Sequence, residues 1–149
     1  MLVRHATSPV APAVCTEREQ DGGMTCRIAA IAIDAVQPRL VADFWCHVLG
    51  WRVVDEDDGV VSIGPSDGTG PTIDVAPVPE SKTVKNRLHL DLRADGVPTA
   101  DELERLLGLG ARPTDVGQGA DATWLVLSDP EGNEFCLLAR TVHEARSDE

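Results

Sequence analysis

The sequence predicts an α+β fold made of two βαβββ modules, one after the other along the chain. Three observations predict it. Short apolar or alternating runs bounded by Gly, Pro and Asp mark strands. Two segments with apolar residues at helical spacing mark helices. The motif L-G-x-R-x-x-D occurs twice, as Leu49-Gly50-Trp51-Arg52 through Asp55 and as Leu109-Gly110-Ala111-Arg112 through Asp115. Each copy follows a helix and opens a strand, so the repeat falls at the same place in each module. A duplicated chain of this kind should be pseudo-symmetric, with a cleft where the two sheets face each other.

The elements follow in order. Residues 1–23 carry Pro9, Pro12 and Gly22-Gly23 and show no periodicity, which reads as a flexible tail or a start site upstream of Met24. Cys26–Asp34 (CRIAAIAID) is a short apolar run, a buried strand. Pro38 starts a helix whose Leu40, Val41, Phe44, Trp45, Val48 and Leu49 share one face, and Gly50 stops it. Trp51–Val54 and Val60–Ile63 are strands around the acidic turn Asp55–Gly59, and Thr72–Ala76 alternates as a fourth. Pro77–Lys85 reads as a linker. The second module, about 86–141, repeats the first, about 26–79. Arg87–Arg93 (RLHLDLR) alternates as a strand. Thr99 and Glu102 form a capping-box sequence before a helix with the stripe Leu103, Leu106, Leu107. Arg112–Val116, Thr123–Leu127 and Glu134–Leu138 complete the set, and the polar tail 142–149 should fray.

Composition bounds the function. The chain has 149 residues, 42% hydrophobic and 26% charged, enough for one ordinary domain. Thirteen basic residues stand against 25 acidic ones, a formal net charge of −12. Such a surface repels phosphate backbones and anionic lipids, so neither nucleic acid nor membrane is an expected partner. No run is long and apolar enough to span a bilayer, and residues 1–23 lack the apolar core of a secretory signal. The cysteines at 15, 26, 46 and 136 form no C-x-x-C pair, which excludes a zinc ribbon or thioredoxin motif. The expected location is cytoplasmic, with reduced thiols.

Three stretches carry a resemblance to a known group: I-D-A-V-Q-P-R-L-V-A-D-F-W-C-H-V-L-G-W at 33–51, R-L-H-L-D-L at 87–92, and L-S-D-P-E-G-N-E-F-C-L-L at 127–138. The chain resembles the vicinal oxygen chelate superfamily, which includes glyoxalase, bleomycin-resistance and extradiol-dioxygenase proteins, and most of all its glyoxalase-like subgroup. The resemblance implies a curved, cup-like mixed sheet with helices outside and a ligand or metal site within the cup. It also implies a homodimer. Metal ligands in this group project from the first and last strands of each module. Here those places fall at His89, at Cys136 and at Asp74, with only Ile28 or Ala29 on the first strand. A divalent ion, if present, would therefore rest on Asp74, His89 and Cys136. The blank first-strand place favours a cup without a catalytic metal.

Each candidate has an ordinary alternative. His89 shares a strand face with Asp91, and is either a cavity base, ligand or hydrogen-bond donor, or a satisfied histidine on a sheet. Cys136 is a small buried hydrophobe, or a nucleophile with His89 as its base. Trp124 lines the cleft or packs in the core, as Trp45 and Trp51 do. Glu134 alternates with Cys136 and could face the cup. The carboxylates of Asp55–Asp58 form a solvated turn. The expected function is binding of a small organic molecule by His89, Trp124, Asp74 and Glu134. The alternative is a divalent-metal-dependent lyase, isomerase or dioxygenase.

Overall fold

The computed structural model describes residues 26–119 and 121–147. The expected N-terminal tail, 1–23, lies outside the described residues. The first module comprises β1 (Ala30–Ala35), α1 (Pro38–Leu49), β2 (Arg52–Asp57), β3 (Val60–Gly64) and β4 (Thr72–Pro77). The second comprises β5 (Asp91–Leu92), α2 (Thr99–Gly108), β6 (Arg112–Pro113), β7 (Trp124–Ser128) and β8 (Glu134–Leu138), followed by α3 (Val142–Arg146). The strand orders are β1-β4-β3-β2 and β5-β8-β7-β6, the same topology twice. In each sheet the first strand runs parallel to the last, and the other pairs are antiparallel. Both sheets are open and mixed, as the resemblance implied.

Local chemistry accounts for the elements. Pro38 opens α1, where its missing N–H costs nothing, and Gly50 closes it at φ 65°. Asp58 and Gly59 both have positive φ, 47° and 80°, which makes the two-residue hairpin turn that joins β2 to β3. The acidic turn is thus shorter than expected, and β2 runs on to Asp57. The α1 face that carries Val41, Phe44, Trp45 and Val48 is buried, and so is Leu106 of α2. Leu107 is partly exposed, so the α2 stripe is narrower than the sequence suggests.

Four expectations change. The strand predicted at Cys26–Asp34 begins at Ala30, because its partner β4 begins at Thr72 and Ala30 pairs with Thr72. The strand predicted at Arg87–Arg93 shrinks to Asp91–Leu92 for the same reason. Asp91 pairs with Cys136, and β8 begins only two residues earlier, so little partner backbone is left for residues before His89. Thr99 is no cap. Pro98 sits at the N-cap, the Thr99 hydroxyl donates to Ala139 O at 3.0 Å, and Glu102 grips Arg105 at 2.7 Å. A real capping box stands at Thr141 and Glu144, where it makes α3 out of residues expected to fray.

The two modules share one core. Val41, Trp45, Ile63, Ile73 and Val75 of the first join Leu106, Leu127, Phe135 and Leu137 of the second. Trp45 meets the Phe135 ring edge-on at 5.1 Å, an arrangement worth about 0.5–1.5 kcal/mol beyond burial.

Candidate functional site

Strand alternation divides the second sheet into two faces. Leu125, Leu127, Phe135 and Leu137 fall on one face, and most of it turns to the core. Trp124, Val126, Glu134, Cys136 and Leu138 fall on the other. That open face floors a hollow of about 430 Å³. His89 and Asp91 border it from β5, Lys85 from the linker, and Val116, Gly117 and Gln118 from the loop after β6. β6 ends at Pro113, the Thr114 N–H makes one more bond to Val126 O at 3.0 Å, and the chain then passes into that loop.

The polar floor is a tight group. His89 Nδ1 lies 3.0 Å from Asp91 Oδ1 and 3.6 Å from Cys136 Sγ. A carboxylate can only accept, so in the ion-free protein Nδ1 donates to Asp91. Burial, with the hydrogen bond and negative charge of Asp91, pushes the Cys136 thiol up to about 11. The thiol is therefore protonated near neutrality and a poor nucleophile. Glu134 is engaged elsewhere: Oε1 accepts from Lys82 at 2.8 Å, and Oε2 accepts from the Asn86 N–H at 2.9 Å. These bonds tie the linker down over the sheet. Burial raises the Glu134 carboxyl, but the Lys82 and Asn86 bonds outweigh it and hold the group below the usual carboxylate value.

Of the residues singled out from sequence, the structure brings His89, Trp124, Glu134 and Cys136 to one hollow. Asp74 does not join them. It lies on β4 of the other sheet, its carboxylate accepting from the Thr72 hydroxyl at 3.0 Å. By ladder position Asp74 is the first module's counterpart of Cys136, since Asp74 pairs with Ala32 as Cys136 pairs with Asp91. Two residues earlier, Ala30 stands where His89 stands. The first-strand place therefore falls at Ala30, not at Ile28 or Ala29, and it too has no donor atom. Asp91 is the member of this polar group that motif reading passed over, although its alternation with His89 was the available signal.

Three residues of this floor could hold a metal ion. His89, Asp91 and Cys136 each offer one ligand atom, and all three atoms lie within 4.8 Å of one another. Imidazole, carboxylate and thiolate are all donors to divalent ions of the zinc kind. Among the described residues no other such group of three occurs.

A doubled βαβββ topology with a polar-floored hollow on one open sheet defines the vicinal oxygen chelate class. Residues 30–138 match the model of the glyoxalase-like domain, and the chain belongs to that family. Solved structures share the fold. TnmS3, an antibiotic binding protein from Streptomyces sp. CB03234, aligns at TM-score 0.54 and 16% identity, covering 76% of this chain and 95% of its own. A glyoxalase/bleomycin resistance protein/dioxygenase family enzyme from Burkholderia phytofirmans PsJN gives 0.56 and 15%, covering 75% and 97%. The fosfomycin resistance protein FosX from Listeria monocytogenes gives 0.61 and 12%, covering 85% and 100%. No curated protein matches the sequence. No helix among the described residues is long and apolar enough to cross a membrane.

Proposed function

We propose that this protein binds a small organic molecule in the hollow over the second sheet. The observation that carries the reading is the hollow's make-up. About 430 Å³ of space is bounded by the apolar Trp124, Val126 and Leu138 and by the polar His89, Asp91 and Cys136. That volume and that mix of apolar wall and few polar groups suit a small-molecule site. Trp124 is 41% exposed, which leaves its indole free to stack on a planar body. Lys85 and Gln118 at the margin add donors that would orient polar substituents. Two fold neighbours, described as an antibiotic binding protein and as a fosfomycin resistance protein, support the ligand class. Direct contacts suffice for binding, so the reading stands with or without an ion in the floor.

Ligand-observed NMR with a library of aromatic and heteroaromatic fragments tests it on the full chain. Binders are expected whose signals vanish with Trp124→Ala, survive with Trp124→Phe, and weaken with His89→Ala. Binders indifferent to Trp124→Ala would overturn the reading.

The cluster at His89, Asp91 and Cys136 favours a second reading, divalent-metal-dependent lyase, isomerase or dioxygenase chemistry in the same hollow. Those three residues would hold the ion, which when bound supplies Lewis acidity to a substrate oxygen. Trp124 and Leu138 would position the substrate, and the linker tied down by Glu134 would limit water. Turnover of a candidate substrate that depends on added ion separates the two readings.

A further inference from the structure

The geometry points to a thiophilic metal site built wholly by the second module: His89, Asp91 and Cys136 hold an ion of the zinc class, with its remaining position open to the hollow. The inference rests on the ligand-binding reading only for that open position.

The backbone presets the three donors. Asp91 and Cys136 are directly paired across the parallel strands β5 and β8, and the Cys136 N–H donates to Leu90 O at 2.8 Å. His89 lies two residues before Asp91, on the same face. The spacing is close to that of a four-coordinate ion. With bonds of about 2.0–2.3 Å, neighbouring ligand atoms in a tetrahedral site stand roughly 3.3–3.7 Å apart. The nitrogen–sulfur edge here, 3.6 Å, falls in that range, the nitrogen–oxygen edge, 3.0 Å, is a few tenths of an ångström short of it, and all three atoms lie within 4.8 Å of one another, so small side-chain rotations close the set around an ion. Binding displaces the Cys136 thiol proton to solvent, and the imidazole exchanges its Nδ1 proton for one on Nε2 through solvent, which frees Nδ1 for the ion. Carboxylate and thiolate together then bring two negative charges to a doubly charged ion, so the half-buried site is neutral.

The same donors disfavour hard ions. Magnesium wants an octahedron of oxygens, and manganese also prefers oxygen. Asp91 is the sole oxygen ligand in the cluster. Glu134, the nearest further carboxylate on β8, has both oxygens occupied by Lys82 and Asn86. Nor does the other module help, because Ala30, Ala32 and Asp74 fill the corresponding ladder places. The site therefore departs from the two-module ligand set that the resemblance implied.

The experiment uses the full chain, stripped with chelator and loaded separately with Zn²⁺, Co²⁺, Mg²⁺ and Mn²⁺, then desalted and assayed for metal. About one zinc or cobalt per chain is expected, without retained magnesium or manganese. The cobalt form should show a sulfur-to-cobalt charge-transfer band. Cys136→Ser should abolish that band. His89→Gln and Asp91→Asn, at exposed positions where folding is not at risk, should each lower zinc affinity at least about tenfold. Asp74→Asn, Cys26→Ser and Cys46→Ser should change neither. Equal retention of manganese, a band lost with Cys46→Ser instead, or a matching loss with Asp74→Asn would overturn the inference. Trp124→Ala separates the two proposals, since it should abolish fragment binding and keep the zinc. A chain that takes no zinc yet binds fragments through Trp124 overturns the metal site alone.

Discussion

Asp129 is 1% exposed and carries a share of the fold out of proportion to its size. Oδ1 accepts from the Glu131 and Asn133 N–H groups at 3.0 and 2.9 Å, which shapes the D-P-E-G-N turn. Oδ2 accepts from Asn133 Nδ2 at 2.9 Å and from Trp45 Nε1 at 3.3 Å, which ties that turn to the first module's helix. Asp129→Ala removes all four hydrogen bonds and leaves the buried indole N–H without a partner. The expected loss is about 2–4 kcal/mol, read from urea unfolding, with Asp129→Asn losing less. The turn itself was legible as Pro and Gly chemistry. Its reach to Trp45, 84 residues away, was not, because nothing local encodes it.

At the scale of elements, partners decide where a pattern becomes structure. Helix α1 has no side-chain cap, and the Glu131 carboxylate of the other module holds the two residues that lead into it. It accepts from the Val36 and Gln37 N–H groups at 2.8 and 2.6 Å. The linker before β5 is held in the same borrowed manner by Glu134. Its carboxyl lies below the ordinary value of 4.5 when folded, so the folded state binds the proton less tightly than the unfolded chain. The stabilisation is therefore complete above the unfolded value and is lost as pH falls through the lower folded value. The melting-temperature gap between wild type and Glu134→Gln should be full near about pH 7 and close as pH falls below the ordinary Glu range. A gap that widens in acid would contradict this account of the clip.

For the whole molecule, the two modules are one folding unit despite their repeated topology. Phe135 of β8 packs on Phe44 and Trp45 of α1. Arg105 of α2 donates to His47 O and Val48 O at the end of α1, at 3.0 and 3.1 Å, where orphan carbonyls need donors. The aromatic cluster and the Asp129 bonds cross the same boundary. Calorimetry should therefore show one transition, with the calorimetric enthalpy equal to the van't Hoff enthalpy. Leu106→Ala, at a fully buried site in the second module, should lower that single transition by about 2–5 kcal/mol without splitting it. Two resolved transitions would mean that each module folds for itself.

The sequence by itself determined the element order, the duplication and the family, because periodicity, turn residues and the L-G-x-R-x-x-D repeat are local signals. It also marked His89, Cys136, Trp124 and Glu134, since strand alternation tells which residues share a face. Only the tertiary structure decided that Asp91 completes the donor group and that Asp74 stands on the other sheet. Register between strands distant in sequence sets those distances, and a pattern within one strand carries no information about its neighbour's register.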